Sequence, residues 1–239
     1  MYYIDIHNHI LYGVDDGARS PQTTAKMLQI AYEDGIRAII CTPHYLAGKY
    51  ETTQQERELR IKHLRGVSEK FYPGLQLYAG CEYFPSSANI IDEVEQGHCG
   101  TLAGSKYLLT EFSPETPGYW IEQRLLEMIS GGFWPIVAHA ERYSAFENAD
   151  FSVHIASFCY IQVNANSVLG VAGTKEKKIA KRMLNDHIVS FVASDAHGTH
   201  QRKPVLSECA KYIESHYGTA YMEKLFYKNP KSIIDNIRI

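Results

Sequence analysis

The sequence predicts an α/β protein: a distorted seven-stranded (β/α) barrel, TIM-barrel-like, with residues 1–239 forming a single domain. Three observations predict it. Seven runs rich in β-branched and aromatic residues alternate with amphipathic helical segments, and parallel strands need such helical crossovers. The 239 residues are enough to bury one large core. No internal repeat, low-complexity tract or Ser/Gly linker divides them.

The runs fall at Tyr2–His7, Ile36–Thr42, Leu75–Glu82, Tyr107–Phe112, Pro135–His139, Tyr160–Asn164 and Ile188–Ser194. After the first, Ser20 is placed to cap a helix with Pro21 at its first position; Met27, Leu28 and Ala31 give it an apolar face, and Gly35 stops it. Further helices are expected over Thr53–Phe71, Tyr119–Ser130, Lys175–Asn185 and Val205–Tyr217.

Each run ends on, or within two residues of, a polar side chain: His7, His44, Glu82, Glu111, His139, Asn164 and Asp195. In a parallel barrel all these ends gather at one face. A strand-end His or Glu taken alone is more often a hydrogen-bonded structural group than a ligand. Glu82 and Glu111, however, lie in apolar runs where an unpaired carboxylate is costly. Clustered cations would compensate them.

In D-I-H-N-H, residues two apart on a strand share a face, so His7 and His9 can chelate one ion. Asp5 shares that face and either orients an imidazole through its second nitrogen or stays solvated. The loop G-V-D-D-G, residues 13–17, has glycines that permit positive φ and carboxylates able to reach over the rim; its plainer reading is a turn. Pro43 stiffens the chain just before His44. In A-H-A-E-R, Arg142 follows His139 by three residues, a guanidinium suited to an anion beside a metal. A-S-D-A-H repeats the first spacing with Asp195 and His197. Arg202, in the loop beyond, is either a second anion clamp or a solvated surface group.

Imidazole and carboxylate without thiolate favour Mn²⁺, Fe²⁺ or Zn²⁺ over Mg²⁺ or Ca²⁺. The candidate ligands outnumber what one six-coordinate centre can use, so two or three ions are expected. His63, His98, His154, His187, His200 and His216 lie outside the motifs and receive no metal role.

Composition narrows the function classes. A net charge of −3 supplies no basic field for a nucleic-acid backbone. The apolar runs fall short of the ~20 residues a membrane span needs, so no membrane insertion is expected. The opening Met-Tyr-Tyr-Ile-Asp-Ile-His shows neither a basic leader nor a small-residue cleavage site, and a cytoplasmic location is expected. Five cysteines with no C-x-x-C pair argue for reduced, mostly buried thiols. Nor does any cysteine serve as a phosphatase nucleophile, because the residues six positions later are Ala47, Ser87, Ser105, Ala165 and Ser215 rather than arginine. Neither a G-x-S-x-G elbow nor a Walker loop is present.

The set H-x-H, T-P-H, paired glutamates, H-x-E-R and S-D-x-H resembles the polymerase and histidinol phosphatase (PHP) superfamily of metal-dependent phosphoesterases. The order D-I-H-x-H-I, D-D-G, T-P-H, E-F, A-H-x-E-R-Y, A-S-D-A-H is similar, over nearly the whole chain, to bacterial tyrosine-protein phosphatases of capsule and exopolysaccharide synthesis. That resemblance implies one ion on His7, His9, Glu82 and Asp195, a second on Glu82, Glu111 and His139, and a third on Asp16, His44 and His197, with Glu82 bridging. It also implies a manganese preference, Arg142 and Arg202 at the phosphate, and a phosphotyrosyl protein partner, a bacterial tyrosine kinase.

The expected reaction is phosphomonoester hydrolysis, a metal-bound hydroxide attacking phosphorus in line while Arg142 and the metals stabilise the spreading charge. Tyr12, Tyr45, Phe84 and Trp120 border the motifs and offer an aromatic wall, or else core packing. Rival readings are a small-molecule phosphatase, for example on histidinol phosphate, a barrel amidohydrolase, and a non-catalytic metal-dependent phosphopeptide-binding module. An amidohydrolase would be expected to carry a bridging lysine and two further strand-end histidines where this chain has Glu82 and Glu111.

Overall fold

The computed structural model describes residues 1–85 and 90–239. In chain order the regular elements are β1 (Tyr3–Asn8), α1 (Pro21–Glu33), β2 (Ile36–Cys41), β3 (His44–Tyr45), α2 (Gln54–Phe71), β4 (Gln76–Ala79), β5 (Glu82–Tyr83) and α3 (Ile90–Glu95). There follow β6 (Tyr107–Thr110), α4 (Gly118–Ser130), β7 (Trp134–Val137), α5 (Ala149–Ala156), β8 (Tyr160–Asn164), α6 (Ala165–Leu169) and α7 (Thr174–Asn185). The chain closes with β9 (Phe191–Ala193), α8 (Ser207–Tyr217), α9 (Thr219–Glu223) and α10 (Asn229–Ile234).

Every strand pairing is parallel, as the strand–helix alternation predicts. The strands form two sheets, β1-β2-β4 and β3-β5-β6-β7-β8-β9, rather than one closed ring among the described residues. The expected run Leu75–Glu82 is divided into β4 and β5, and His44 opens the short strand β3. Both breaks have a local cause. Pro43 lacks the N–H that would continue β2. Across from it, a Cβ on Gly80 would stand 2.8 Å from Ile40 Cγ2, so only glycine permits this approach. At the other edge, Asp195 N–H donates to His7 O (2.9 Å) and His9 N–H to Ala196 O (2.9 Å), seating the end of β1 beside the chain just past β9.

The strands are apolar on both faces, as parallel strands covered by helices should be. Ile4, Ile6, Ala38, Ile40, Leu109, Ile136, Phe191 and Ala193, alternate residues of five strands, pack into one cluster with Ala138 just past β7. The intervening Ile39, Leu108, Val137, Val163 and Val192 join a larger cluster with helix residues such as Met27, Leu28, Leu125, Met128, Met183 and Leu184. Helix ends follow local chemistry. Ser20 Oγ accepts from Thr23 N–H at α1, and Thr53 forms a reciprocal capping box with Glu56 at α2. Above the apolar layers the chain buries His7 near the end of β1, Glu82 at the start of β5, Gln162 and Asn164 in the second half of β8, and Asp195 just past β9.

Candidate metal centre

The strand ends converge. His7 in β1 and His9 just past its end place their Nε2 atoms 3.1 Å apart. Glu82 Oε2, from the start of β5, lies 3.1 Å from His7 Nε2 and 3.2 Å from His9 Nε2, and Asp195 Oδ1 lies 3.4 and 3.6 Å from the same two atoms. His139 Nε2 stands 2.9 Å from Glu82 Oε1. His44 Nδ1 faces Glu82 Oε2 (3.1 Å) and Glu111 Oε1 (2.7 Å). Asp16 Oδ1 reaches His44 Nε2 (3.4 Å) and His197 Nε2 (3.5 Å). Thus His7, His9, Asp16, His44, Glu82, Glu111, His139, Asp195 and His197 fall into four overlapping groups able to hold metal ions.

The donor set fits cations. Two imidazole nitrogens at ~2.1 Å from one ion and at right angles to each other would be about 3 Å apart, as His7 and His9 are. Glu82 Oε2, Asp195 Oδ1 and His44 Nδ1 are buried without a hydrogen bond, although opposite groups stand within ion-pair distance. Buried polar atoms aimed at a shared point and left unsatisfied call for a ligand between them.

Neighbouring residues aim the imidazoles. His7 Nδ1–H donates to Gln162 Oε1 (3.0 Å), His9 Nδ1–H to Asp15 Oδ2 (2.7 Å), and His139 Nδ1 meets the Tyr143 hydroxyl (3.0 Å), so each ring turns Nε2 inward. Gln162 Oε1 also accepts from His139 N–H (2.9 Å), and its Nε2 donates to Asn164 Oδ1 (2.7 Å). Asn164 Nδ2 in turn donates to Asp195 Oδ2 (2.8 Å). Asp15, Tyr143 and Gln162 were not singled out from the sequence. The acidic loop pointed to the first, but nothing marks a strand Gln or a Tyr four residues past a His.

Asp5 orients no imidazole. Its carboxylate accepts from Ser194 N–H and Oγ and from Asn8 Nδ2, tying β1 to the end of β9. Nor does Tyr45 wall the site: it is buried, and its hydroxyl donates to Glu93. Trp120 packs edge-on against Phe112. The ring found over His44 belongs to Tyr50, nearly parallel at 5.6 Å.

Both expected arginines meet the centre at one atom. Asp195 Oδ2 lies 3.0 Å from Arg142 Nη2 and 2.6 Å from Arg202 Nη2.

Residues 3–235 match the family described as capsular polysaccharide synthesis, CpsB/CapC. The chain belongs to the CpsB/CapC family. It is 33% identical over 240 residues to the tyrosine-protein phosphatase CpsB of Streptococcus agalactiae, covering 98% of each chain. It also superposes, at a TM-score of 0.91 and 28% identity, on a structure reported among those of YwqE from Bacillus subtilis and CpsB from Streptococcus pneumoniae, "unique metal-dependent tyrosine phosphatases", covering 99% and 96% of the two chains. Dihydropyrimidinase from Brevibacillus agri shares the fold alone, at a TM-score of 0.57 and 10% identity over 98% of this chain and 70% of that one.

Electrostatics of this CpsB/CapC chain follow from the packing. Burial pulls the His9 imidazole down, but the Asp15 carboxylate outweighs it and raises the pKa to about 9. His7 is raised in the same way, Glu82 and Asp195 overcoming its burial. Burial penalises the carboxylates too, yet the imidazoles hold Glu82 well below its ordinary range, and His7 with Arg142 does the same for Asp195. His197, partly buried and beside His9, drops to about 4 because both disfavour its charged form. The backbone is strained at two of the strand ends: His139 has φ 33° and Asp195 φ 50°, values that L-residues avoid unless surroundings hold them.

Proposed function

We propose that this chain is a metal-dependent protein-tyrosine phosphatase of capsule or exopolysaccharide synthesis, acting as one domain over residues 1–239. The observation that carries the reading is the overlap of four ligand groups through shared His7, His9, His44 and Glu82, with two guanidinium groups at their edge. The relatives' names supply the substrate class. In this reading His7, His9, Glu82 and Asp195 hold one ion, Glu82, Glu111 and His139 a second, and Asp16, His44 and His197 a third, manganese being preferred. β2 with β3 and β4 with β5 count as single interrupted strands, so that seven strand positions surround a distorted barrel.

Bound ions would lower the pKa of coordinated water and draw charge from the nonbridging phosphate oxygens. The chain's own residues do the rest. Arg142 and Arg202 present planar forks to the phosphate and stabilise charge spreading over the transferring group. Asp195 holds both forks in place, and Gln162 and Asn164 hold Asp195 and His7. A tyrosine leaving group, with a pKa of about 10, needs less protonation than an alkoxide. The partner in this reading is a tyrosine-phosphorylated bacterial kinase, met in the cytoplasm, where five free, buried thiols suit a reducing compartment.

The test is hydrolysis of a phosphotyrosyl peptide and of histidinol phosphate, with and without a chelator. The proposal expects the peptide to be turned over in manganese and chelation to abolish turnover. Tight peptide binding without phosphate release, or preference for histidinol phosphate, would overturn it.

A further inference from the structure

Beside the two arginines opens a cavity of about 710 Å³, far larger than a phosphate group requires and within the range that holds a whole organic ligand. Its lining is mostly polar and includes Arg142, Asn164 and Arg202 as well as Glu115, Lys175 and Glu176; Pro114, Val171 and Ala172 supply its apolar part. These apolar residues come from two loops that are pinned in place. Val171 and Ala172 form the connection between α6 and α7, and both donate their N–H to Asn166 O (2.9 and 3.3 Å). Gly170 before them turns with φ 86°. Pro114 O accepts from Ser144 N–H (2.9 Å) and from Ser144 Oγ (3.1 Å), which fixes the loop that follows Glu111. Val171 is 67% exposed, an apolar side chain open to solvent at the cavity.

An anion clamp next to rigid apolar surface matches a ligand that is anionic at one end and aromatic behind it. We propose that this cavity is the subsite for the phosphotyrosine ring and the peptide carrying it, with Val171 and Ala172 as the specificity-determining contact. The inference rests on the phosphatase reading above and extends it to substrate choice. Phosphate engages the arginines and the metal cluster, and the ring lies along Val171 and Ala172. A small polar phosphate ester would leave that apolar surface in water and so gain nothing from it.

Steady-state hydrolysis of a phosphotyrosyl peptide, run beside competitive inhibition by inorganic phosphate, tests this. Val171→Ser removes apolar contact without adding charge, and the side chain's exposure keeps folding out of the comparison. The KM for the peptide should rise about fivefold, a share of what burying a valine side chain is worth, while the inhibition constant of inorganic phosphate stays within twofold. Val171→Leu should bring KM back to the wild-type value or below. If Val171→Ser leaves the peptide KM unchanged, or raises the phosphate inhibition constant as much as KM, the subsite assignment fails while the phosphatase reading stands. Failure of the wild-type protein to hydrolyse the peptide in manganese would remove both.

Discussion

His9 is gripped from outside by the Asp15 carboxylate at Nδ1, while its Nε2 faces Glu82 and the His7 ring. A grip of this kind fixes which nitrogen is available, and Gln162 performs the same service for His7 without a charge. Gln162→Leu should therefore weaken manganese binding about 10- to 100-fold, measured by equilibrium dialysis or by electron paramagnetic resonance of free Mn²⁺. Unchanged affinity would show that the ring keeps its aim unaided. His139→Ala, which removes a nitrogen 2.9 Å from Glu82, should cut peptide turnover about a hundredfold or more with the circular dichroism spectrum intact. The nine candidate ligands were legible because His, Asp and Glu at strand ends are costly to place there for structure alone. Gln162, Tyr143 and Asp15 were not, because a strand amide, a tyrosine or an acidic turn has many ordinary uses and declares its role only through its neighbour. Arg202 stood open between clamp and surface group, and geometry puts it on Asp195.

At the scale of elements, the loop after β1 depends on close approach. A Cβ on Gly17 would lie 2.2 Å from His9 O, a backbone atom that cannot swing aside. Gly13, in the same loop, is the glycine that uses positive φ, at 67°. Gly17→Ala should cost about 1–3 kcal/mol and weaken manganese binding together with it, since His9, Asp15 and Asp16 move with the loop. Thr53→Ala, which breaks the capping box of α2 away from the site, should cost about 1 kcal/mol, seen as a fall of about 2–4 °C in Tm. Its manganese affinity should match wild type. The longer helices and the parallel pairing were readable from periodicity. The division of Leu75–Glu82 was not, because β-branched and aromatic content is continuous across Gly80 and the break arises from its crowding against Ile40. Helices α3, α5, α6, α9 and α10 went unanticipated for a related reason: at 5–8 residues they are too short to show a periodic face.

Across the whole molecule, residues from His7 to Arg202 contribute to one charged cluster, so the protein's stability and its metal affinity respond oppositely to pH. His9 titrates near 9 in the folded chain against an ordinary 6.5. Without metal, the stabilisation from its charged pairing with Asp15 is complete below pH ~6.5 and is lost as pH rises through about 9. The Tm of chelator-treated protein should accordingly fall over that window. Metal needs the neutral imidazole, so manganese affinity should rise across the same pH range. A flat Tm from pH 6 to 9 in the stripped protein would contradict the assigned His9–Asp15 pairing.

The most direct test of the central claim is a manganese titration of chelator-stripped protein in which bound metal per chain and phosphotyrosyl-peptide hydrolysis are read from the same samples. The account predicts that hydrolysis is absent in the stripped protein and reaches its plateau only as occupancy passes one ion and approaches two or three. Full turnover with less than one ion per chain, or no turnover at saturation, would contradict it.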